Sequence, residues 1–317
     1  MRRLKTVIML FVVFMLFAGF ALFAGEEGGE KAKGEIVMGA LWQNMANEFL
    51  KEIQAGAQRR AKELGVKLLE ADGQGKPELQ ISQCENYIAQ GVDAVILHPY
   101  DREACAPIVD MCNEAGVVII LCNSRTTNMD RASAFVGSDD VNAGEIEMQF
   151  IADKLGGKGG VVIIHGPNGH SAEINRTKGN YNILKKYPQM KVLAEQTANW
   201  DRAQGMELTE NWLTAGMPIK AVVGQNDEMA LGALMAVEAA GKQDEIFIIG
   251  IDAIADALQA VKDRRLDATV FQDGQGQGYG SVDVAYRIIQ GEEVPFMNDI
   301  PFVLVTPENV GKYLGTR

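Results

Sequence analysis

The chain has 317 residues, of which 47% are hydrophobic and 23% are charged, so it can bury a sizeable core and is long enough for two domains. Its formal net charge of −12 disfavours nucleic acid and anionic membranes as partners, because both are negatively charged.

Residues 1–24 have the layout of a secretory signal peptide. A basic start precedes an apolar run from Val7 to Phe23, and residues 25–34 read as a polar, flexible tail. The sequence does not fix whether cleavage occurs after Ala24, and an uncleaved membrane anchor is the alternative to a signal peptide. The sequence therefore predicts an exported protein that acts in the periplasm or another extracytoplasmic space.

From Glu35 onward, short apolar runs alternate with longer stretches that end at glycine, which predicts strands and helices in turn. The first series comprises strands at Ile36–Leu41, Lys67–Ala71, Ala94–Leu97, Val117–Cys122 and Ala134–Gly137, and helices at Glu48–Leu64, Pro77–Gln90 and Ala104–Ala115.

A second series of similar length follows. It comprises helices at Asn142–Leu155, Ala172–Lys186, Ala203–Thr214, Glu228–Ala240, Ala253–Lys262 and Ser281–Gln290, and strands at Gly160–His165, Lys191–Gln196, Ala221–Gly224, Ile246–Ile251, Ala268–Phe271 and Phe302–Val305. Near-continuous apolar strands are typical of parallel sheets covered by helices on both faces. The two series predict an α/β fold with two similar Rossmann-like lobes.

The four cysteines do not form a metal-binding pattern. Cys105 and Cys112 are seven residues apart on one predicted helix, too far for a disulfide, whereas Cys84 on the preceding helix could reach one of them. We expect free, buried thiols and neither a metal ion nor another cofactor.

Polar residues recur at the carboxyl ends of the predicted strands, where parallel sheets bind ligands. This set comprises Asn123, Arg176, Trp200, Asn226, Asp252 and Gln272. Each residue alone is also explained as a helix cap or a loop residue. Together the amides, one carboxylate, one guanidinium and an aromatic ring suit a neutral polyhydroxylated ligand, with Trp200 and Phe49 offering flat surfaces to a sugar ring.

No catalytic set assembles from the sequence, and an enzyme is not expected. Residues 169–173 lack the second glycine of a nucleophile elbow, and His165 and His170 are interpreted as loop or strand-end polar residues. The glycine-rich run at residues 274–280 resembles a phosphate loop but has no βαβ continuation, so it is interpreted as a flexible connection.

The run from Gln225 to Leu234, QNDEMALGAL, closely resembles a motif of the periplasmic sugar-binding proteins of the ribose-binding type, and the similarity extends from about Ile36 to the end. The resemblance implies two lobes joined by a three-segment hinge, which close on a monosaccharide that an ABC permease imports. Motif matching implies that Asn47, Phe49, Asn123, Ser124, Arg176, Trp200, Asn226, Asp252 and Gln272 contact the ligand.

With chain crossings near Gly137, Gln272 and Ile300, the N-terminal lobe comprises residues 35–137 plus 273–301, and the C-terminal lobe residues 138–272 plus 302–317. This arrangement predicts a monomer that binds a small neutral sugar or polyol, with no nucleic acid partner.

Departures from the ribose-binding pattern concern the identity of the ligand. Asn123-Ser124 replaces an Asp-Arg pair, and Leu50 replaces one stacking ring, so either Leu50 or Trp42 must fill that space. Another aldose, inositol and xylitol are therefore as well supported as ribose. A LacI-like regulator is the alternative from another class, and it would need a DNA-binding segment ahead of the sensor. A sugar sensor linked to a chemoreceptor also stays open.

Overall fold

Residues 34–315 of the computed structural model are described, and they form two six-stranded sheets with helices on their faces. The predicted α/β class with two lobes is confirmed. The predicted signal peptide and all but the last residue of the predicted tail lie outside the described residues. Within residues 34–315, no helix has both the length and the apolar character needed to cross a bilayer.

The first lobe is built around strands β1 to β5 and β11. The strands are β1 Val37–Trp42, β2 Lys67–Asp72, β3 Ala94–Leu97, β4 Val118–Asn123, β5 Ala134–Gly137 and β11 Met297–Asp299. Its helices are α1 Glu48–Leu64, α2 Pro77–Ala89, α3 Ala106–Ala115 and α9 Gly274–Ile289, with a short 3₁₀ turn at Met129–Arg131.

The second lobe repeats this plan. Its strands are β6 Lys158–His165, β7 Gln189–Thr197, β8 Ile219–Gly224, β9 Phe247–Asp252, β10 Ala268–Phe271 and β12 Val303–Val305. Its helices are α4 Asp140–Lys154, α5 Ser171–Leu184, α6 Arg202–Thr214, α7 Asp227–Ala239 and α8 Ala255–Lys262, with a 3₁₀ turn at Val310–Lys312.

The strand order places a binding crevice in each lobe. The first sheet runs β11-β5-β4-β3-β1-β2, and its strands are all parallel. The second runs β12-β10-β9-β8-β6-β7, and only the β10–β12 pair is antiparallel. The order reverses between β1 and β3 and between β6 and β8. Ligands bind beyond the carboxyl ends of strands at such switch points.

The chain passes between the two sheets three times. It leaves the first sheet after β5, returns to the first lobe after β10, and goes back to the second sheet between β11 and β12. Helix α9 packs on α1 and on the first sheet, although it follows a strand of the second sheet.

The glycine-rich run at residues 274–280 is helical, so its interpretation as a flexible connection is wrong. It forms the first two turns of α9, which begins at Gly274 instead of the predicted Ser281. A side chain at Gly278 would collide with the backbone carbonyl of Ile53, and one at Gly56 would collide with that of Gln275. The glycines are needed for close packing of two helices, a tertiary requirement that outweighs their low helix propensity.

Strand β11 is the other element that the sequence pattern missed. Its three residues are polar or partly exposed and lie at the edge of the sheet, so they carry no apolar signal. The other predicted elements are present, with ends shifted by no more than two residues.

Candidate functional site

A cavity of about 300 Å³ lies where the carboxyl edges of the two sheets face each other. The lining residues are Gln43, Asn47, Phe49, Leu50, His98, Asn123, His170, Ala172, Arg176, Trp200, Asn226, Asp252 and Gln272. The structure thus brings together all the predicted site residues except Ser124.

Two asparagines act both as helix caps and as cavity lining. The Asn47 side-chain oxygen accepts a hydrogen bond from the Phe49 amide at 2.9 Å, and that of Asn226 accepts from the Met229 amide at 3.0 Å. Capping therefore uses the carbonyl oxygen and leaves the side-chain NH₂ group as a donor at the cavity wall. Asn47 and Asn226 can therefore each cap a helix and contact a ligand at the same time.

Arg176 is held in place by the second lobe and its boundary with the first. Its Nε donates to the Asp140 carboxylate at 3.0 Å, one terminal nitrogen donates to the Gln225 carbonyl, and the other donates to Gln272 Oε1 at 3.1 Å. Burial raises the pKa of Asp140, although Arg176 and Arg125 oppose this shift. Because its charge faces a buried carboxylate, Arg176 is a fixed hydrogen-bond donor rather than an uncompensated anion site.

The backbone is left-handed at three residues that line the cavity. The φ angles are 63° at Asn123, 62° at Trp200 and 123° at Asp252. Asn123 and Asp252 are the last residues of β4 and β9, which hold corresponding places in the two sheets. Non-glycine residues in this region are uncommon and cluster at ligand sites, which supports a functional role for this edge.

Ser124 does not line the cavity. Its hydroxyl lies 3.3 Å from Nε2 of His170 and donates to the Asn123 side-chain oxygen at 3.1 Å. It therefore contacts two residues that do line the cavity. Leu50, which replaces a ring of the ribose-binding motif, lines the cavity, whereas Trp42 is buried and its indole N–H donates to Glu70.

Two further cavity residues follow the pattern of polar side chains at strand ends but were not predicted from the sequence. Gln43 directly follows β1 and His98 directly follows β3, so the two flank the switch point of the first sheet. The same rule that identified Asn123 would have identified both. His170 carries no such signal, because it lies in the loop between β6 and α5 and reaches the cavity by capping that helix.

His170 lies in the loop before α5, as the sequence predicted, and it also lines the cavity. Its Nδ1 accepts from the Ala172 amide at 3.1 Å, so the ring proton lies on Nε2, which donates to Gln43 Oε1 at 3.0 Å. Burial and its neighbours His98 and Arg176 lower the pKa of His170 well below its ordinary value. His165 fits the strand-end interpretation, since it ends β6 and does not line the cavity.

The segment 169–171 of the second lobe joins the first lobe through hydrogen bonds that involve all three of its residues. Besides the bond from His170 to Gln43, the Arg102 amide donates to the Gly169 carbonyl at 3.1 Å, and the Arg125 amide donates to the Ser171 hydroxyl at 2.8 Å. We call residues 169–171 the latch segment. The lobes are therefore in direct contact beside the cavity.

His98 is a fully buried imidazole in the cavity wall. Neither ring nitrogen has a hydrogen-bond partner among the described residues. Burial lowers the pKa of His98 to about 3, although the nearby Asn123 side chain opposes the shift. A neutral imidazole offers one donor and one acceptor, and a ligand with hydroxyl groups would satisfy both.

Of the QNDEMALGAL run at residues 225–234, only Asn226 lines the cavity. The Gln225 side chain bonds Gly166 and Thr177, and Asp227 accepts from Thr269 and the Ile254 amide within the second lobe.

The four cysteines are free and buried, as predicted, and the Cys84 and Cys112 sulfurs lie 3.7 Å apart. Residues 34–315 contain no cluster of three side chains suited to hold a metal ion.

A family model described as "Periplasmic binding protein domain" matches residues 38–293. The chain is similar to a xylitol-binding protein of Mycolicibacterium smegmatis, at 39% identity over 83% of the chain and 75% of that protein. It is also similar to a ribose import binding protein of Bacillus subtilis, at 36% identity over 86% of the chain and 88% of that protein.

Solved structures show the same similarity. An ABC transporter solute binding protein from Bacillus halodurans, with bound myo-inositol, matches at 42% identity and a TM-score of 0.87, covering 90% of this chain and 99% of the other.

Proposed function

The chain belongs to the periplasmic binding protein family, and we propose that its cavity captures one neutral sugar or polyol for delivery to an ABC importer. It is a binding protein rather than an enzyme. The regulator alternative loses support, because the matched proteins include a ribose import binding protein and an ABC transporter solute binding protein.

One observation carries the proposal: neutral hydrogen-bonding groups and one balanced pair of charges converge on a single cavity between the lobes. Arg176 is bonded to Asp140, which does not line the cavity, and the carboxylate of Asp252 does line it, so an anionic ligand would gain little. Amides and imidazoles both donate and accept, as hydroxyl groups do. Such a wall suits a ligand with many hydroxyl groups and no charge.

We assign ligand contacts to the residues that the sequence predicted at the cavity, and we add three more. The predicted set is Asn47, Phe49, Asn123, Arg176, Trp200, Asn226, Asp252 and Gln272, and the added residues are Gln43, His98 and His170. Ser124 is reassigned as a residue that positions His170 and Asn123. Phe49 and Trp200 provide apolar surfaces for the C–H faces of the ligand.

A cyclic polyol of the inositol type is our first choice of ligand, ahead of xylitol and the aldoses. The Bacillus halodurans structure holds myo-inositol at 42% identity, and a xylitol-binding relative matches at 39%. The ribose import protein is slightly less similar, at 36%. Asn123-Ser124 and Leu50 are also departures from the ribose-binding motif.

The three chain crossings are proposed as the hinge. The lobes then comprise residues 35–137 plus 273–301 and residues 138–272 plus 302–317. Both lobes contribute polar groups, so a ligand satisfies its hydroxyl groups only in the closed form and shifts the population toward it. The proposed monomer is exported through the signal peptide at residues 1–24 and presents its closed shape to a permease, and a chemoreceptor is a second candidate partner.

A thermal-shift screen of inositols, pentitols, pentoses and hexoses tests the function. Ligand at about a thousand times its dissociation constant stabilises the folded state by roughly 4 kcal/mol, which raises the melting temperature clearly. Titration calorimetry then gives affinity, and small-angle scattering should show a smaller radius of gyration with ligand. If no neutral sugar or polyol shifts melting, the proposal fails; an unchanged radius at saturation refutes the hinge alone.

A further inference from the structure

A second and larger chamber lies beside the ligand cavity, toward the edge of the cleft. Its volume is about 720 Å³, compared with about 300 Å³ for the cavity. We call it the outer chamber. Its lining residues are Gln43, Asn44, Ala46, Asn47, Glu48, Tyr100, Asn199, Trp200, Asp201, Arg202 and Glu228. Both lobes therefore contribute to it.

The outer chamber and the ligand cavity share a wall. Gln43 and Asn47 from the first lobe and Trp200 from the second line both spaces. The two spaces are therefore adjacent, and a group attached to a ring in the cavity would have to pass between these side chains to reach the chamber. The two spaces can serve as adjoining parts of one ligand site.

Two aromatic side chains from opposite lobes line the outer chamber. Trp200 and its neighbour Asn199 both have left-handed backbones, with φ angles of 62° and 54°. This conformation is costly for a bulky residue and indicates that the position of the indole ring matters. A side chain at Gly166 would collide with that ring, so Gly166 makes room for it. Tyr100, half-buried in the first lobe, offers a second aromatic surface.

The charges in the outer chamber disfavour an anionic group. Glu48, Asp201 and Glu228 line it, against a single guanidinium from Arg202, and Lys51, which pairs with Glu48, does not line the chamber. That guanidinium is already engaged, because it donates to Glu228 and to Asp256. A phosphate or carboxylate would meet an excess of negative charge, whereas a neutral group with hydroxyls would find amides and aromatic rings.

We propose that the outer chamber binds a neutral glycosyl group, so that the preferred ligand is a glycoside whose first ring occupies the cavity. This inference rests on the proposed function and narrows its substrate class. The first ring contacts the cavity residues, and the second ring packs against Trp200 and Tyr100. Two rings would bury more apolar surface than one and would bind more tightly.

Titration calorimetry with matched pairs of compounds tests this proposal. The pairs are myo-inositol with galactinol, D-galactose with melibiose and D-glucose with maltose, and myo-inositol 1-phosphate serves as an anionic comparison. For any pair in which the free ring binds, the glycoside should bind at least about tenfold more tightly than that ring. Myo-inositol 1-phosphate should bind more weakly than myo-inositol. If no glycoside binds more tightly than its parent ring, the inference is overturned while the proposed function stands.

Tyr100→Ala separates the two chambers, because Tyr100 lines only the outer one. It should remove most of the advantage of the glycoside and leave binding of the free ring within about twofold. Tyr181→Ala is the matched control, since Tyr181 is also half-buried but lines neither space. Equal weakening of ring and glycoside by Tyr100→Ala overturns the inference. Absence of binding by every free ring and every glycoside refutes the proposed function instead.

Discussion

The two lobes contribute different kinds of surface to the cavity. The second lobe presents charged groups that are already fixed, with Arg176 bonded to Asp140, Gln225 and Gln272. The first lobe presents neutral groups, and one of them, His98, has no hydrogen-bond partner among the described residues. The Arg176 side of the site is therefore pre-organised, whereas His98 in the first lobe still has hydrogen bonds to make.

This difference assigns separate tasks to the two halves. Fixed groups lose little entropy when a ligand binds, so the second lobe should supply most of the affinity. An unpartnered buried imidazole imposes a penalty unless the ligand matches it, so the first lobe should supply much of the selectivity.

Removing Arg176 should have the largest effect on binding. Loss of a buried charged donor costs about 2–5 kcal/mol, which weakens binding roughly thirtyfold or more in calorimetry. Arg176→Ala should also lower the melting temperature, because it leaves the Asp140 carboxylate buried without its closest cation.

The double variant Asp140→Asn with Arg176→Ala separates these two effects. It should recover stability but not affinity, because it removes the unpaired charge without restoring the donor. Recovered affinity in the double variant would show that the second lobe does not act through the guanidinium.

Trp200→Ala should weaken binding roughly tenfold to a hundredfold, since burial of an aromatic ring contributes about 1.5–3 kcal/mol. Ligand should change the intrinsic fluorescence of the native protein, and this response should disappear in the variant. Trp42 and Trp212 are buried away from the cavity and serve as internal controls. A response that persists without Trp200 would contradict its stacking role.

His98→Leu should change selectivity more than overall affinity. We expect the preference between two epimeric polyols to shift about tenfold, because the imidazole can no longer distinguish their hydroxyl positions. The melting temperature of the ligand-free protein should hold or rise, since the variant removes two unsatisfied polar atoms. If His98→Leu weakens the binding of all ligands equally, His98 does not determine the selectivity.

Glu147→Gln should leave binding unchanged and alter only the pH dependence of stability. Burial raises the pKa of Glu147 to about 8, from an ordinary value of 4.5, although Asn180 opposes the shift. Asn180 Nδ2 donates to one oxygen of the acid at 2.8 Å, and the other oxygen and Asn180 Oδ1 are both buried without partners. A proton on Glu147 would join these two atoms, so we expect a neutral acid near pH 7.

The sign of the expected pH effect follows from the raised pKa. Between about pH 4.5 and pH 8 the unfolded chain releases this proton while the folded protein retains it, so stability falls with rising pH. Chemical denaturation across this range should show the slope in the native protein and a shallower one in Glu147→Gln. Identical slopes would mean that Glu147 does not titrate in this way.

Most of the fold was predictable because each parallel strand is an apolar run and most helices end near a glycine. The exceptions, β11 and the start of α9, depend on contacts between segments far apart in the sequence. At Gly278, for example, α1 packs so closely that any side chain would collide with it. Local propensity carries no information about such a neighbour.

The site was predictable to the extent that it follows the ends of strands. Asn123, Asn226 and Asp252 were found in this way, and Gln43 and His98 obey the same rule. His170 could not be found from local pattern, because it reaches the cavity from a loop whose path is set by contacts with the other lobe. The pairing of Arg176 with Asp140 could not be predicted either, since Asp140 is 36 residues away along the chain.

The latch segment affects how reliably the closed shape of the protein indicates that a ligand is bound. Its hydrogen bonds join the lobes through protein groups alone, so they stabilise this arrangement of the lobes whether or not a ligand is present. Each such bond raises apparent affinity by increasing the competent fraction of empty molecules. The same bonds increase the number of empty molecules that present a transport-ready surface, which would cause futile encounters with the permease. The strength of the latch thus sets a compromise between scavenging at low ligand concentration and avoiding false delivery.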